Sequence, residues 1–189
     1  MNELQEIKYI VRLLNEGKVI LYPTDTVWGL GCDALNEKAV KRLFQIKQRM
    51  EDKSVITLID SVERLDAFTD NVENTVLDLL SQSHVPQTVI FPSVKNLPNG
   101  VINQNRSGAF RLPKHEFCLN LLKEFQKPLV STSANVSGDK TPLYFNEISK
   151  EIKEAVDYIV PHSYEGNMTH KPSQIIFLSQ DGEIQFLRK

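Results

Sequence analysis

The 189-residue sequence has few of the residues that mark secreted, membrane or metal-binding proteins. It contains two cysteines, Cys32 and Cys118, which are too few for a metal cage and whose spacing suggests no disulfide framework. No apolar run approaches the roughly 20 residues that a membrane helix needs, and residues 1–10 are too polar for a signal peptide. We therefore expect a protein of the reducing cytoplasm with no membrane anchor.

The sequence also lacks an excess of charge and several common catalytic signatures. Its formal net charge is −2, so any surface for nucleic acid must be local. The four histidines form no i, i+4 pair, so we expect no structural metal. There is no Walker A loop, so any ATP must be bound by a different phosphate-binding arrangement. There is also no Gly-x-Ser-x-Gly elbow for a serine nucleophile.

What is present predicts one α/β domain over residues 1–189. A hydrophobic fraction of 41% is ordinary for a globular protein of this length. Strand patterns alternate with helical ones, and the chain closes with a hairpin that turns at 181–182, so we expect three layers around a twisted, open, mixed sheet flanked by helices. The predicted helices are 4–14 (capped by Asn2 and stopped by Gly17), one capped by Asn36, 71–81, 117–125 and 148–156. The predicted strands are 19–22, 55–59, 87–91, 109–112, 128–130, 158–160, 173–178 and 184–187.

The stretch from Lys18 to Cys32 organises the rest. A short β-branched run ends at Pro23, and Thr24, Asp25 and Thr26 follow, then two glycines. Open α/β sheets place ligands where a buried strand opens into such a loop. The alternative is a strand followed by a capped turn.

Cations follow the second helix. Lys47 and Arg49, two residues apart, converge only if the chain straightens after Ile46, with Lys53 nearby. The charged face of that helix (Lys38, Lys41, Arg42) is most simply a solvated surface.

A second polar run, 131–138, lies just beyond a predicted strand. Its four hydroxyls and the amide of Asn135 could hold phosphate or carboxylate oxygens, or could cap a Ser/Asn-rich turn. Residues 137–140 also match the S-x-x-K pattern of some serine enzymes, but we expect a turn there instead of the helix that this motif requires.

Arg111 and Trp28 each have two interpretations, and a third feature is a weak motif match. Arg111, in a short apolar strand, needs either an internal carboxylate or a bound anion. Trp28 is either core filler or a pocket wall. Residues 29–34 match G-x-G-x-x-A, but the strand does not run directly into the first glycine, so NAD binding is not expected.

Four motifs together resemble the YrdC-like threonylcarbamoyl-AMP synthases, in their short single-domain form. The matching stretches are Pro-Thr-Asp-Thr-Val-Trp-Gly-Leu-Gly at 23–31, Lys-Gln-Arg at 47–49, Arg-Leu-Pro at 111–113 and Ser-Thr-Ser-Ala-Asn-Val-Ser-Gly at 131–138. Their order and spacing agree with the family from about residue 4 to the C-terminus.

The resemblance implies an enzyme, a nucleotidyltransferase. Family members combine L-threonine, bicarbonate or CO2, and ATP with Mg²⁺, and release pyrophosphate and threonylcarbamoyl-AMP. A separate complex then transfers the threonylcarbamoyl group to adenosine 37 of ANN-decoding tRNAs, giving t6A. No covalent enzyme intermediate and no tightly bound cofactor is implied.

The resemblance also implies roles for individual residues. The residues implied for catalysis are Lys47 and Arg49. Those implied for nucleotide binding are Arg49, Lys53, Ser107, Asn135 and Arg188. Those implied for threonine binding are Thr26, Arg111, Ser133 and Ser173. The chain departs from the family at 83–88, where a Trp-Pro-Gly-Pro segment is usual, and at Trp28, where tyrosine is usual.

A binding module is the alternative. A YrdC-like paralogue could bind tRNA or double-stranded RNA through the basic set without making the adenylate. The basic set consists of Lys38, Lys41, Arg42, Lys47, Arg49 and Lys53.

Overall fold

The computed structural model of the chain describes residues 2–49, 55–70 and 72–188. Its α-helices are α1 (Glu3–Asn15), α2 (Glu37–Ile46), α3 (Asn74–Gln82), α4 (Glu116–Phe125) and α5 (Lys150–Ala155). Its strands are β1 (Ile20–Tyr22), β2 (Gly29–Asp33), β3 (Ile56–Leu58), β4 (Gln87–Phe91), β5 (Gly108–Arg111), β6 (Leu129–Ser133), β7 (Tyr158–Ile159), β8 (Gln174–Leu178) and β9 (Ile184–Arg188).

The first two helices begin at the predicted caps. The Asn2 side chain accepts from the Gln5 backbone N–H, and the Gln5 side chain accepts from the Asn2 N–H, which makes a capping box. The Asn36 side chain accepts from the backbone N–H groups of Lys38 and Ala39. The predicted stop at Gly17 is also confirmed, since this residue has φ of 76° just after the C-cap.

The described strands form one mixed sheet, as predicted from the closing hairpin. Its order is β7-β1-β2-β6-β3-β5-β4-β8-β9. The pairs β1–β7, β3–β5 and β4–β8 are parallel, and the remaining neighbours are antiparallel. Segments far apart in sequence, such as β2, β6 and β3, therefore become neighbours at the centre of the sheet.

Strand β2 is an element that the sequence patterns did not predict. Its glycines disguise it, because glycine is depleted in strands. Tyr22 pairs with Gly29 across the antiparallel β1–β2 hairpin. A Cβ at Gly31 would lie 2.6 Å from Cε1 of Tyr22, so the glycine makes room for the tyrosine ring.

Helices pack against both faces of the sheet. On one face, α2 and α5 pack against Leu21, Leu30 and Val130. On the other face, α1 and α4 pack against Tyr22 and Leu129. Neighbouring residues of a strand point to opposite faces, so these two groups of helices lie on opposite sides of the sheet. The chain therefore forms the expected three layers. Among the described helices, none is long and apolar enough to cross a membrane.

Candidate active site

A polar pocket of about 260 Å³ lies on the face that carries α1 and α4. Strand register places Ile56 opposite Ser131, and Leu58 opposite both Arg111 and Leu129, so these side chains share that face. Along β6 the same face changes from a core residue, Leu129, to Ser131 and Ser133 in the pocket. The pocket is therefore the part of this face that the helices leave open.

The lining of the pocket combines hydroxyl groups with positive charge. Its described hydroxyl residues are Thr24, Thr26, Ser131, Thr132, Ser133, Thr141 and Ser173. Its cations are Arg49, Arg111 and Arg188, and no aspartate or glutamate lies among the described lining residues. Short hydroxyl side chains with arginines suit a ligand that carries phosphate or carboxylate groups.

Arg111 is held by an internal ion pair and also faces the pocket. Its Nη2 donates to Oδ1 of Asp25 at 3.0 Å, and its Nη1 donates to the Thr26 hydroxyl at 3.1 Å. Both side chains of the ion pair are 4% exposed. The Nε of Arg111 is buried and has no partner among the described residues. Arg111 therefore has the internal carboxylate partner that one interpretation required. Its guanidinium also keeps donors that could bind an anion, as the other interpretation required.

The loop after β1 is shaped by its own hydroxyl groups. Thr24 Oγ1 donates to the Val27 carbonyl at 2.7 Å and accepts from the Thr26 backbone N–H at 3.1 Å. The two threonine hydroxyls lie 2.9 Å apart. This network fixes the direction of Thr26, so the loop is both a capped turn and part of the pocket wall.

The chain does not straighten after α2, so Lys47 and Arg49 do not converge. Gln48 adopts φ of 48°, its N–H donates to Gln45, and the Arg49 N–H donates to Phe44, which together make a Schellman motif. Arg49 lines the pocket. Lys47 is 1% exposed and is not among the described lining residues; its Nζ donates to the carbonyls of Ser133 and Asn135 at 2.5 and 2.8 Å.

Arg188 reaches the pocket because of a β-bulge. Ile176 pairs with Phe186 and Ile175 pairs with Arg188, so Leu187 is an extra residue in β9. The shift places Arg188 on the same face as Ile175, which also lines the pocket. Arg188 Nε and Nη2 both donate to the Ser173 carbonyl, at 2.9 and 2.6 Å. Burial and the charge of Arg111 lower the pKa of Arg188.

The structure brings most of the predicted site residues together, but not all of them. Ser107 lies in a turn before β5, where its N–H donates to Asn103 Oδ1 and its hydroxyl accepts from Asn103 Nδ2. Asn135 accepts from the Ser133 hydroxyl at 2.5 Å, outside the described lining. Lys53 lies outside the described residues. The predicted residues that line the pocket are Thr26, Arg49, Arg111, Ser133, Ser173 and Arg188.

Trp28 belongs to the core. It is fully buried among the residues packed against α2 and α5, and its Nε1 donates to Oε1 of Glu165 at 3.0 Å. His162 Nε2 lies 2.5 Å from the other carboxylate oxygen of Glu165, so this acid ties the 162–170 segment to the β1–β2 loop. The reading of this tryptophan as core filler is confirmed.

Sequence patterns missed several pocket residues. Thr141, Pro172 and Ile175 line the pocket without any motif or periodicity that marks them. The role of Asp25 as the partner of Arg111 could have been suspected, because a buried arginine needs a carboxylate.

Among the described residues, the basic face of α2 is partly paired with acidic side chains. Lys41 pairs with Glu37 at 2.7 Å, and Arg42 lies 3.3 Å from Asp157. Lys47 is buried under the 131–138 run. The basic set that motivated an RNA-binding module is thus partly neutralised and divided between surface and interior.

A second, larger cavity of about 430 Å³ lies between a segment that includes Thr69, Asp70, Val72 and Glu73 and the segment 178–182. Its described lining includes Asp70, Glu73 and Asp181 and no lysine or arginine. An anionic ligand would be repelled there. The arginine-lined pocket is therefore the better candidate site for an anion because of its charge, although it is smaller.

The fold and the pocket define an α/β protein whose arginine- and hydroxyl-lined pocket has the chemistry that suits a small polar anion. The chain belongs to the Sua5/YciO/YrdC family, whose model, described as Telomere recombination, matches residues 12–189. Among the described residues no group of three or more His, Cys, Asp or Glu side chains could hold a metal ion.

Named relatives agree with this placement. The chain is 37% identical over 178 residues to the threonylcarbamoyl-AMP synthase of Pseudoalteromonas translucida, covering 93% of this chain and 94% of that protein. It is 35% identical over 179 residues to that of Escherichia coli K12, covering 92% and 93%. The structure of P. abyssi Sua5 complexed with L-threonine matches with a TM-score of 0.88 at 28% identity, covering 100% of this chain and 54% of that one. The chain thus spans about half the length of that solved chain.

Proposed function

We propose that the protein is a threonylcarbamoyl-AMP synthase, a nucleotidyltransferase that uses L-threonine, bicarbonate or CO2, and MgATP. The observation that carries the proposal is the convergence of Arg49, Arg111 and Arg188 with seven hydroxyl residues in one pocket. The names of the relatives and the threonine bound to P. abyssi Sua5 support it. The pairing of the α2 cations gives no separate reason to propose the RNA-binding alternative.

Threonine is assigned to the end of the pocket around Arg111. Two N–H groups of Arg111 are used by Asp25 and Thr26, and the remaining donors of its guanidinium can bind the carboxylate of threonine. The Thr26 and Ser133 hydroxyls then contact the polar part of the amino acid. The Ser173 hydroxyl, 2.8 Å from that of Thr88, completes this wall.

The triphosphate is assigned to the end of the pocket near Arg49. Its charge would be met by this guanidinium and by Arg188. The resemblance also implies Lys53 for nucleotide binding, and this residue lies outside the described residues. Because no carboxylate lies among the described lining residues, Mg²⁺ enters as part of the substrate, coordinated by phosphate oxygens and water. Ser107 and Asn135 remain proposals for nucleotide contacts, and each would first exchange an internal hydrogen bond.

The reaction needs positioning and cations more than covalent chemistry. A carbamate formed from the threonine amine and CO2 attacks the α-phosphorus, and the bond to the bridging oxygen of pyrophosphate breaks. Negative charge grows on the α-phosphate and on the leaving group, where fixed guanidinium groups stabilise it.

The test is the release of pyrophosphate from ATP. Release should require threonine and bicarbonate together, and the nucleotide product should be threonylcarbamoyl-AMP by mass spectrometry. ATP turnover that ignores threonine would reject the assignment. Serine and valine serve as matched controls, because each keeps part of the threonine side chain.

The product implies a downstream partner and a compartment. A mixed anhydride of this kind hydrolyses readily, so we propose that a tRNA threonylcarbamoyl transferase consumes it. A cytoplasmic location is part of the proposal, and both cysteines, Cys32 and Cys118, are free and buried, as suits a reducing environment.

A further inference from the structure

Lys47 binds the 131–138 run at three points. Its Nζ donates to the backbone carbonyls of Ser133 at 2.5 Å and Asn135 at 2.8 Å. Its own carbonyl accepts from the Ser137 N–H at 2.8 Å. One residue at the end of α2 therefore holds both ends of the segment that follows β6.

The helix end separates Lys47 from Arg49. The left-handed conformation of Gln48 reverses the chain direction, so the two cations point to different places. Arg49 faces the pocket, whereas Lys47 is 1% exposed beneath the polar run. A cation that served the triphosphate directly would need access that Lys47 does not have.

The acceptors of Lys47 are carbonyl groups, not carboxylates. A neutral amine carries two N–H groups, which is the number that these two carbonyls require. Burial, and then the charge of Arg49, lower the pKa of Lys47 to about 7. The side chain therefore acts here as a hydrogen-bond donor more than as a counter-charge.

We propose that Lys47 is a positioning residue that fixes the backbone around Ser133 and Asn135, and through it the Ser133 hydroxyl in the pocket, and that it does not bind the nucleotide phosphates. The inference rests on the proposed function only where Ser133 is taken as a threonine contact.

The first test compares Lys47→Met with Lys38→Met, which changes an exposed lysine of the same helix. Threonine binding is measured by calorimetry without ATP. We expect Lys47→Met to weaken threonine binding at least about 10-fold and Lys38→Met to leave it unchanged. An unchanged affinity for threonine in Lys47→Met, with weakened ATP binding, would overturn the proposal in favour of a phosphate contact.

The second test needs neither activity nor a variant that folds. In the wild-type protein, the lysine side-chain ¹H–¹⁵N spectrum should show Lys47 Nζ protons protected from exchange, and added pyrophosphate should leave their shifts unchanged. A pyrophosphate-dependent shift of Lys47 Nζ, or fast exchange of its protons, would refute the positioning role. If the wild-type protein fails to bind threonine, the proposed function fails while this spectrum still decides the role of Lys47.

Discussion

Arg111 and Asp25 form a buried ion pair at the boundary between the hydrophobic core and the pocket. The two residues are 86 positions apart in sequence, and their side chains approach to 3.0 Å. Oδ2 of Asp25 also accepts from the Lys114 N–H at 3.1 Å, so the carboxylate is fixed by groups other than the arginine. A pair held in this way keeps one arginine edge in place for a ligand.

Asp25→Asn should weaken both folding and ligand binding. It keeps the shape but leaves Arg111 as a buried cation without its counter-charge, which costs about 3 kcal/mol. The free energy of unfolding, measured in urea, should fall by that amount. The exposed pair of Glu37 and Lys41 provides the control, since solvent screens this pair and Glu37→Gln should cost far less than Asp25→Asn. Equal losses in the two variants would contradict the role given to Asp25.

Arg49→Ala should slow the proposed reaction without unfolding the protein. Removing one charge-stabilising donor from a reacting centre raises the barrier by about 3 kcal/mol, or roughly 100-fold in rate. Pyrophosphate release at saturating substrates measures this effect. Arg42→Ala, on the exposed face of α2 beside Asp157, should leave the rate unchanged. A normal rate in Arg49→Ala would remove this arginine from the site.

Gly31→Ala should destabilise the centre of the sheet. Its Cβ would lie 2.6 Å from Tyr22 Cε1 and 3.0 Å from the Val130 carbonyl, and both of these residues are fully buried. Overpacking of this kind costs about 1–3 kcal/mol, which thermal unfolding measures. At Gly29 the closest atom is the Ser131 hydroxyl at 3.3 Å, so Gly29→Ala should lose less stability. A reversed order would contradict the packing described here.

Stability should rise with pH above neutrality because of Lys47. Its pKa is about 7 in the folded chain and ordinarily 10.5, so between these values the unfolded state binds more protons. The free energy of unfolding should therefore increase from about pH 7 to 10.5, by on the order of 5 kcal/mol at most, and Lys47 contributes no such slope below pH 7. Lys47→Met should abolish this increment, whereas Lys38→Met should keep it. If the free energy of unfolding changes with pH in the same way in the wild type and in Lys47→Met, the lowered pKa assigned to Lys47 is wrong.

Local sequence signals predicted the elements that form by local physics. Asn2, Asn36 and Gly17 mark helix ends through contacts within a few residues, and apolar runs mark buried strands. Strand β2 escaped because glycine is depleted in strands, and Gly31 is needed there to make room for the Tyr22 ring of the neighbouring strand. Lys47 and Arg49 do not converge because Gln48 adopts a left-handed conformation that glycine usually adopts, and nothing in the local sequence marks it.

The sequence by itself determined the residue types of the pocket: its hydroxyl runs, its arginines and the order of four motifs along one α/β chain. Only the tertiary structure decided which of these side chains meet. Strand order brings β2, β6 and β3 together, a bulge turns Arg188 toward the pocket, and Asp25 occupies one edge of Arg111. The reason is physical: pairing register and burial depend on contacts between residues far apart in sequence, and no local pattern encodes them.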